Sequence, residues 1–195
     1  EIRFKGFKEK WEQQQLGQII SEVKRSVDLK DDHEYELVTV KRRNEGVVSR
    51  GKLRGKEILV KNYSEVRTGD YIISKRQVVH GANGVVPKSL DKAIVSNEYL
   101  VAVSNERITT NFLALLSKRP IMYKLFFLSS YGIDIEKLVF DVVDWKKRFV
   151  FIPHPSEQQK ITNFFQNLDV LITLQQRELD KLKNIKKACL GKMFV

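Results

Sequence analysis

Two stretches of the chain carry side chains suited to gripping a polyanion. Lys41 to Lys61 holds eight basic residues (Lys41, Arg42, Arg43, Arg50, Lys52, Arg54, Lys56 and Lys61) against two acidic ones. Tyr71 to Leu90 has no acidic residue and carries Lys75, Arg76, Gln77, His80, Asn83 and Lys88, with glycines at 81 and 84. Arg, Gln and Asn can make paired hydrogen bonds to base edges, whereas Lys chiefly contacts phosphate. Glycine lets a backbone approach a groove closely. The residues expected to contact double-stranded DNA are therefore Arg42, Arg43, Arg50, Lys52, Arg54, Lys56, Lys75, Arg76, Gln77, His80, Asn83 and Lys88. The plainer alternative for either stretch is a solvated basic loop.

Other chemistries find little support. A phosphate-cradling loop needs Gly-Lys followed by Ser or Thr. Gly51-Lys52, Gly55-Lys56 and Gly191-Lys192 are followed by Leu53, Glu57 and Met193. No two of the four prolines are adjacent, so the Pro-Pro-aromatic signature of an amino-methyltransferase is absent, as is Gly-x-Gly-x-x-Gly. Histidines at 33, 80 and 154 with a single cysteine give no zinc-ligand spacing. Nuclease chemistry needs clustered carboxylates to hold a metal. Asp31-Asp32 and Asp134-Ile135-Glu136-Lys137 are the candidates, and both read better as solvated loop or helix-end charges. No metal site and no cofactor are expected in the chain.

Composition agrees with a polyanion partner. The 195 residues carry a formal charge of +11, and 42% are hydrophobic, enough for a real core. The lone Cys189 rules out an internal disulfide and fits a reducing compartment. No run approaches the ~20 apolar residues of a spanning helix, and no secretory signal is visible. A cytoplasmic protein with no membrane partner is expected. The start at Glu1 instead of Met suggests a processed, truncated or excised segment.

The elements that must position these residues divide the chain into a globular recognition part, 1–153, and a helical part, 154–195. Strands are expected at Glu36–Lys41, Glu57–Val60, Tyr71–Ser74, Phe149–Ile152 and, as a pair, Ala93–Val95 with Tyr99–Val103. Helices are expected at Thr110–Ser117 and Pro120–Ser130, the second closed by Gly132. Strands first and helices later predict an α+β fold. Two prolines, Pro153 and Pro155, mark the boundary, and Ser156-Glu157-Gln158-Gln159 fits a capping box. Beyond it, Phe165, Leu168, Ile172, Gln175, Leu179, Leu182 and Lys186 step by four and three, the seam of a coiled-coil-type helix. About 38 residues make a rod of roughly 57 Å, which must project or find a partner. A helix folded back on its own domain, or two helices broken near Thr173, are the alternatives.

Several short motifs resemble the specificity subunits of type I restriction–modification enzymes. Arg3-Phe4-Lys5-Gly6-Phe7, Trp11-Glu12-Gln13 and Leu16-Gly17 are similar to the opening of a repeat in that family. Pro155-Ser156-Glu157-Gln158-Gln159-Lys160-Ile161 resembles the start of its spacer helix, and Lys183 to Val195 its end. Val95-Ser96-Asn97-Glu98-Tyr99 resembles a motif inside the recognition domain. The resemblance implies a target recognition domain plus spacer helix, half the usual subunit. It implies no catalysis in this chain, and S-adenosylmethionine bound only by partner methyltransferase subunits. A restriction subunit would join them, and a second spacer helix would come from an identical chain or a missing half.

Three functions are thus in play. The first is sequence-specific DNA binding to one half of a bipartite site. The second is a helix-mediated scaffold whose charge is incidental, and the third a metal-dependent nuclease.

Overall fold

The computed structural model describes residues 3–194. In chain order, β1 (Glu12–Gln15), α1 (Leu16–Ile19), β2 (Ile20–Glu22) and β3 (Ser26–Val27) lead to β4 (Glu34–Lys41) and β5 (Gly46–Arg54). Then come β6 (Tyr63–Glu65), β7 (Tyr71–Ser74), β8 (Asn83–Val85), β9 (Ile94–Ser96) and β10 (Tyr99–Ser104). Helices α2 (Thr110–Ser117) and α3 (Pro120–Leu128) precede β11 (Ser130–Tyr131), β12 (Val139–Phe140), α4 (Val142–Lys146) and β13 (Phe149–Ile152). The chain ends in α5 (Pro155–Met193). The fold is α+β, as expected.

Period-two alternation builds the core. One sheet has the order β2-β10-β7-β8 and a second β3-β6-β9-β4-β5, with β4 and β9 parallel and all other pairs antiparallel. On β7, Ile72 packs with Val38, Val40, Val47, Val66 and Val101 between the sheets. Its neighbours Tyr71 and Ile73 point the other way, into a cluster with Phe112, Leu116, Met122, Phe126 and Trp145 from the helices. A strand covered on both faces reads as the unbroken apolar run Tyr71-Ile72-Ile73. A third cluster, Leu29, Leu37, Ile58 and Ile94, covers the outer face of the second sheet.

Several expectations need correction. Glu57–Val60 is no strand: Gly55–Glu57 forms a 3-10 turn, Ile58 plugs the third cluster, and Leu59 is exposed. The turn is fixed because the Glu57 carboxylate accepts from the Arg54 N–H (2.7 Å). The strands near 94 and 99 do not pair with each other; β9 joins one sheet and β10 the other, so Asn97-Glu98 is a crossing between layers. Helix α3 ends at Leu128, with Ser129 as its cap, and Gly132, at φ +153°, follows strand β11 instead of closing the helix. The capping box at Ser156 gives way to His154, whose Nδ1 accepts from the Ser156 N–H with Pro155 in the first turn. The prediction of α2 holds, and Thr109 Oγ1 caps it by accepting from Phe112 N (3.2 Å).

Helix α5 runs unbroken through Thr173, and every described residue from Asn163 onward is exposed. It projects from the body, and neither the folded-back nor the broken form is adopted. Its first turns are anchored firmly. Arg3 clasps Glu157 with two bonds of 2.7 Å, Phe4 packs edge-on to Phe164, and Lys160 lies over the Phe7 ring. Gln158 is fully buried, donating to Arg107 O and Pro153 O and accepting from Thr109 N. Strand β1 pairs with β13, Glu12 opposite Ile152, so the first and last strands of the body are neighbours.

Candidate nucleic-acid interface

The basic stretch from 41 to 61 runs from a β-hairpin, through Arg54, into the 3-10 turn Gly55–Glu57 and the segment after it. Lys41 pairs with Gly46, and the turn between them has Arg43 (φ 60°) and Asn44 (φ 56°) both left-handed. Two such residues make the mirror-image turn whose twist suits a hairpin. Asn tolerates that conformation easily; Arg does so at some cost. The tip therefore presents Arg42 and Arg43 on a fixed turn, both exposed.

The stretch from 71 to 90 forms a 3-10 turn at Val78–His80 followed by β8. Gly81 closes the turn with a left-handed φ of +77°. The hairpin tip docks here: Arg43 N donates to His80 O (2.7 Å) and Asn44 N to Gly81 O (2.9 Å). Residues some forty positions apart in sequence thus share one surface. The contact is tight, since a Cβ on Gly81 would sit 2.9 Å from Asn44 Nδ2.

The twelve expected contact residues separate into groups. Arg42, Arg43, Gln77 and His80 come together at the docked tip. Arg50, Lys52 and Arg54 run along β5 away from it, with Lys56 just beyond, all four exposed. The pairing steps from Leu37–Gly51 to Val38–Ser49, so Arg50 is the extra residue of a β-bulge, with Gly51 at φ +108° beside it. A bulge re-aims a side chain out of the pleat. Lys52 is partly neutralised by Glu34 (3.3 Å). Lys75 and Arg76 are held by the β9–β10 crossing, through Asn97 O (2.9 Å) and Glu98 (3.3 Å) respectively. Lys88 is exposed in the 3-10 turn Lys88–Leu90, beyond the other end of β8.

Asn83 is a correction. It is buried, its Oδ1 accepts from Tyr71 OH (2.9 Å), and its amide donates to Asn44 Oδ1 (3.2 Å). It braces the tip from behind and has no open face for a base. Burial likewise pushes the Tyr71 hydroxyl far above its usual range, so it stays a neutral donor.

Residues not singled out in the sequence also border this surface. Lys118, Arg119 and Tyr123, from the α2–α3 junction, line a cleft with Asn44, His80 and Gly81. Glu136 reaches in from a 3-10 turn at Ile135–Lys137, pairing with Arg42 (2.9 Å) and lying 3.3 Å from His80 Nε2. These come from a distant part of the chain, and only the fold joins them to the basic stretches.

Asp31 pairs with Lys61 in an exposed turn (3.4 Å). Among the described residues, no three His, Cys, Asp or Glu side chains converge as a metal site, and no helix is long and apolar enough to cross a membrane.

The seam of α5 stands open. Phe165, Leu168, Ile172, Leu179 and Leu182 are all exposed apolar side chains, with Gln175 and Lys186 as polar entries in the same row.

Comparison with known proteins gives a consistent picture. Residues 8–184 match the family described as the type I restriction modification DNA specificity domain. Two solved structures share the fold. The crystal structure of the HsdS subunit from Thermoanaerobacter tengcongensis is 20% identical, with a TM-score of 0.68 over 86% of this chain and 44% of that one. A chain from a study of complex assembly and conformational transition of the type I R-M system is 21% identical, with a TM-score of 0.64 over 89% of this chain and 44% of that one. This chain therefore spans less than half the length of either. No curated protein matches it in sequence.

Proposed function

This chain belongs to the family of type I restriction modification DNA specificity domains, and from that premise we propose that it reads one half of a bipartite DNA site. Residues 1–153 are the recognition domain and 154–195 the spacer and assembly helix. The observation that carries this reading is the docking of the hairpin tip on the Val78–Gly81 turn, which brings Arg42 and Arg43 of one basic stretch beside Gln77 and His80 of the other. Arg42, Arg43, Gln77 and His80 form its centre. Arg50, Lys52, Arg54 and Lys56 extend it along β5, and Lys75, Arg76 and Lys88 flank it. Arg119 and Lys118 offer further phosphate contacts.

The chain itself performs no chemistry in this reading. Methyltransferase subunits holding S-adenosylmethionine, and a restriction subunit, dock on it and act on the DNA it selects. The seam Phe165, Leu168, Ile172, Gln175, Leu179, Leu182 and Lys186 receives a second spacer helix, from an identical chain or from further sequence of the same protein. Such a complex works in the cytoplasm.

Selection from randomised duplexes tests this function. The chain should enrich one short motif, and log K should fall with log salt at about 0.9 per phosphate neutralised. Binding that is blind to sequence at every salt concentration would overturn it. The open apolar seam also favours a second reading, a helix-mediated scaffold, which predicts no enrichment at all.

A further inference from the structure

We infer that Glu136 is a specificity-determining residue that accepts a hydrogen bond from the exocyclic amine of a cytosine or adenine. This rests on the DNA-reading function proposed above. The carboxylate stands where the two basic stretches meet. Its Oε2 takes the Arg42 Nη2 donor (2.9 Å), and its Oε1 lies 3.3 Å from His80 Nε2.

The turn that carries Glu136 is braced. Asp134 caps it, its Oδ1 accepting from Glu136 N (3.1 Å) while its carbonyl accepts from Lys137 N (2.8 Å). Arg42, which orients the carboxylate, sits at the start of the docked hairpin turn. The group is thus aimed before any DNA arrives, and an acceptor held in place loses little freedom on binding.

An ionised carboxylate offers about four lone-pair positions. Arg42 and His80 face one oxygen each, and the side chain remains half exposed. Acceptor capacity is therefore left over on the outward side. Toward phosphate that capacity is purely repulsive. Toward a base edge it is selective: cytosine N4 and adenine N6 donate in the major groove, whereas guanine and thymine turn carbonyl acceptors to the same place. A fixed negative group in a cationic surface thus accepts a base pair in one orientation and rejects it in the reverse, where a carbonyl faces it.

The test compares motif selection and binding constants for the chain, Glu136→Ala and Glu136→Gln, with thermal melts confirming that each variant folds. The unsubstituted chain should specify at least one base pair whose selection depends on Glu136, and the strand that carries the cytosine or adenine there shows which amine is read. Glu136→Ala should lose about 10- to 100-fold discrimination at that pair alone. Glu136→Gln keeps the shape and one acceptor but adds donors, so its preference should change at the same position and nowhere else. It also supplies the readout if the alanine variant does not fold. An unchanged motif in both variants overturns the inference, including the case where affinity rises equally for every duplex because Glu136 only damps the surface charge. Failure of the unsubstituted chain to select any motif would instead overturn the DNA-reading function itself.

Discussion

At the scale of single residues, Glu157 is a carboxylate held charged inside the protein. Glu157 is almost wholly buried, and the Arg3 guanidinium holds it below the usual carboxylate range against the opposing effect of burial. A carboxylate whose folded value lies below its unfolded one adds stability above the unfolded value. That stability disappears as pH falls through the folded value. The chain should therefore lose its advantage over Glu157→Gln below about pH 4, read as converging urea midpoints. Arg3→Ala leaves the buried charge with only the Trp11 side chain as a donor among the described residues and should destabilise the chain by somewhat less than the about 3–5 kcal/mol of a broken buried pair at neutral pH, since Arg3 is partly exposed. Arg43 shows the opposite balance. Its left-handed backbone is a standing cost at the hairpin tip, which glycine would remove. Arg43→Gly should leave unfolding stability unchanged or higher by no more than about 1 kcal/mol, while DNA affinity falls several-fold. Equal losses of both would mean that Arg43 is structural only.

At the scale of elements, the recognition surface depends on one turn receiving another. Gly81 has a left-handed φ, and an added Cβ would press on Asn44. Gly81→Ala should cost about 1–3 kcal/mol and loosen the hairpin tip, seen as faster amide exchange at Arg43 and Asn44. Elements with strong local pattern were legible in the sequence: the apolar run at Tyr71–Ser74, the Thr- and Val-rich β4, the capped α2 and the long α5. Elements that exist only through distant pairing were not. Glu12-Gln13-Gln14-Gln15 has no strand-like residues, and it is a strand because β13 pairs with it. Nor did Glu57–Val60 show that Ile58 would turn inward as a plug while its neighbours faced solvent. For the site, composition located both basic stretches but could not sort their faces. Asn83 looks as available as Gln77 in sequence, yet a buried bond from Tyr71 takes it out of play. Glu136 was visible only as part of an unpromising acidic run, because its meaning comes from Arg42, 94 positions away.

At the scale of the whole molecule, a body with a buried core carries a rod of 39 residues, about 58 Å long, whose apolar seam faces water. Replacing Leu168, Leu179 and Leu182 together with serine removes the seam's centre without touching the body. The mass in solution, measured by light scattering, should fall to that of one chain if α5 holds two copies together, while the body keeps measurable DNA affinity. A mass that does not change would place the partner helix outside this chain's own copies. The pairing of β1 with β13 bears on how the protein is made. Gln15 is synthesised more than a hundred residues ahead of its partner Phe149. At roughly 5–20 residues per second, the first strand waits about 7–27 s for its closing neighbour. During that interval it is a polar, glutamine-rich segment with little apolar surface to hide. The body can close only when synthesis reaches Ile152, just before the rod begins to emerge.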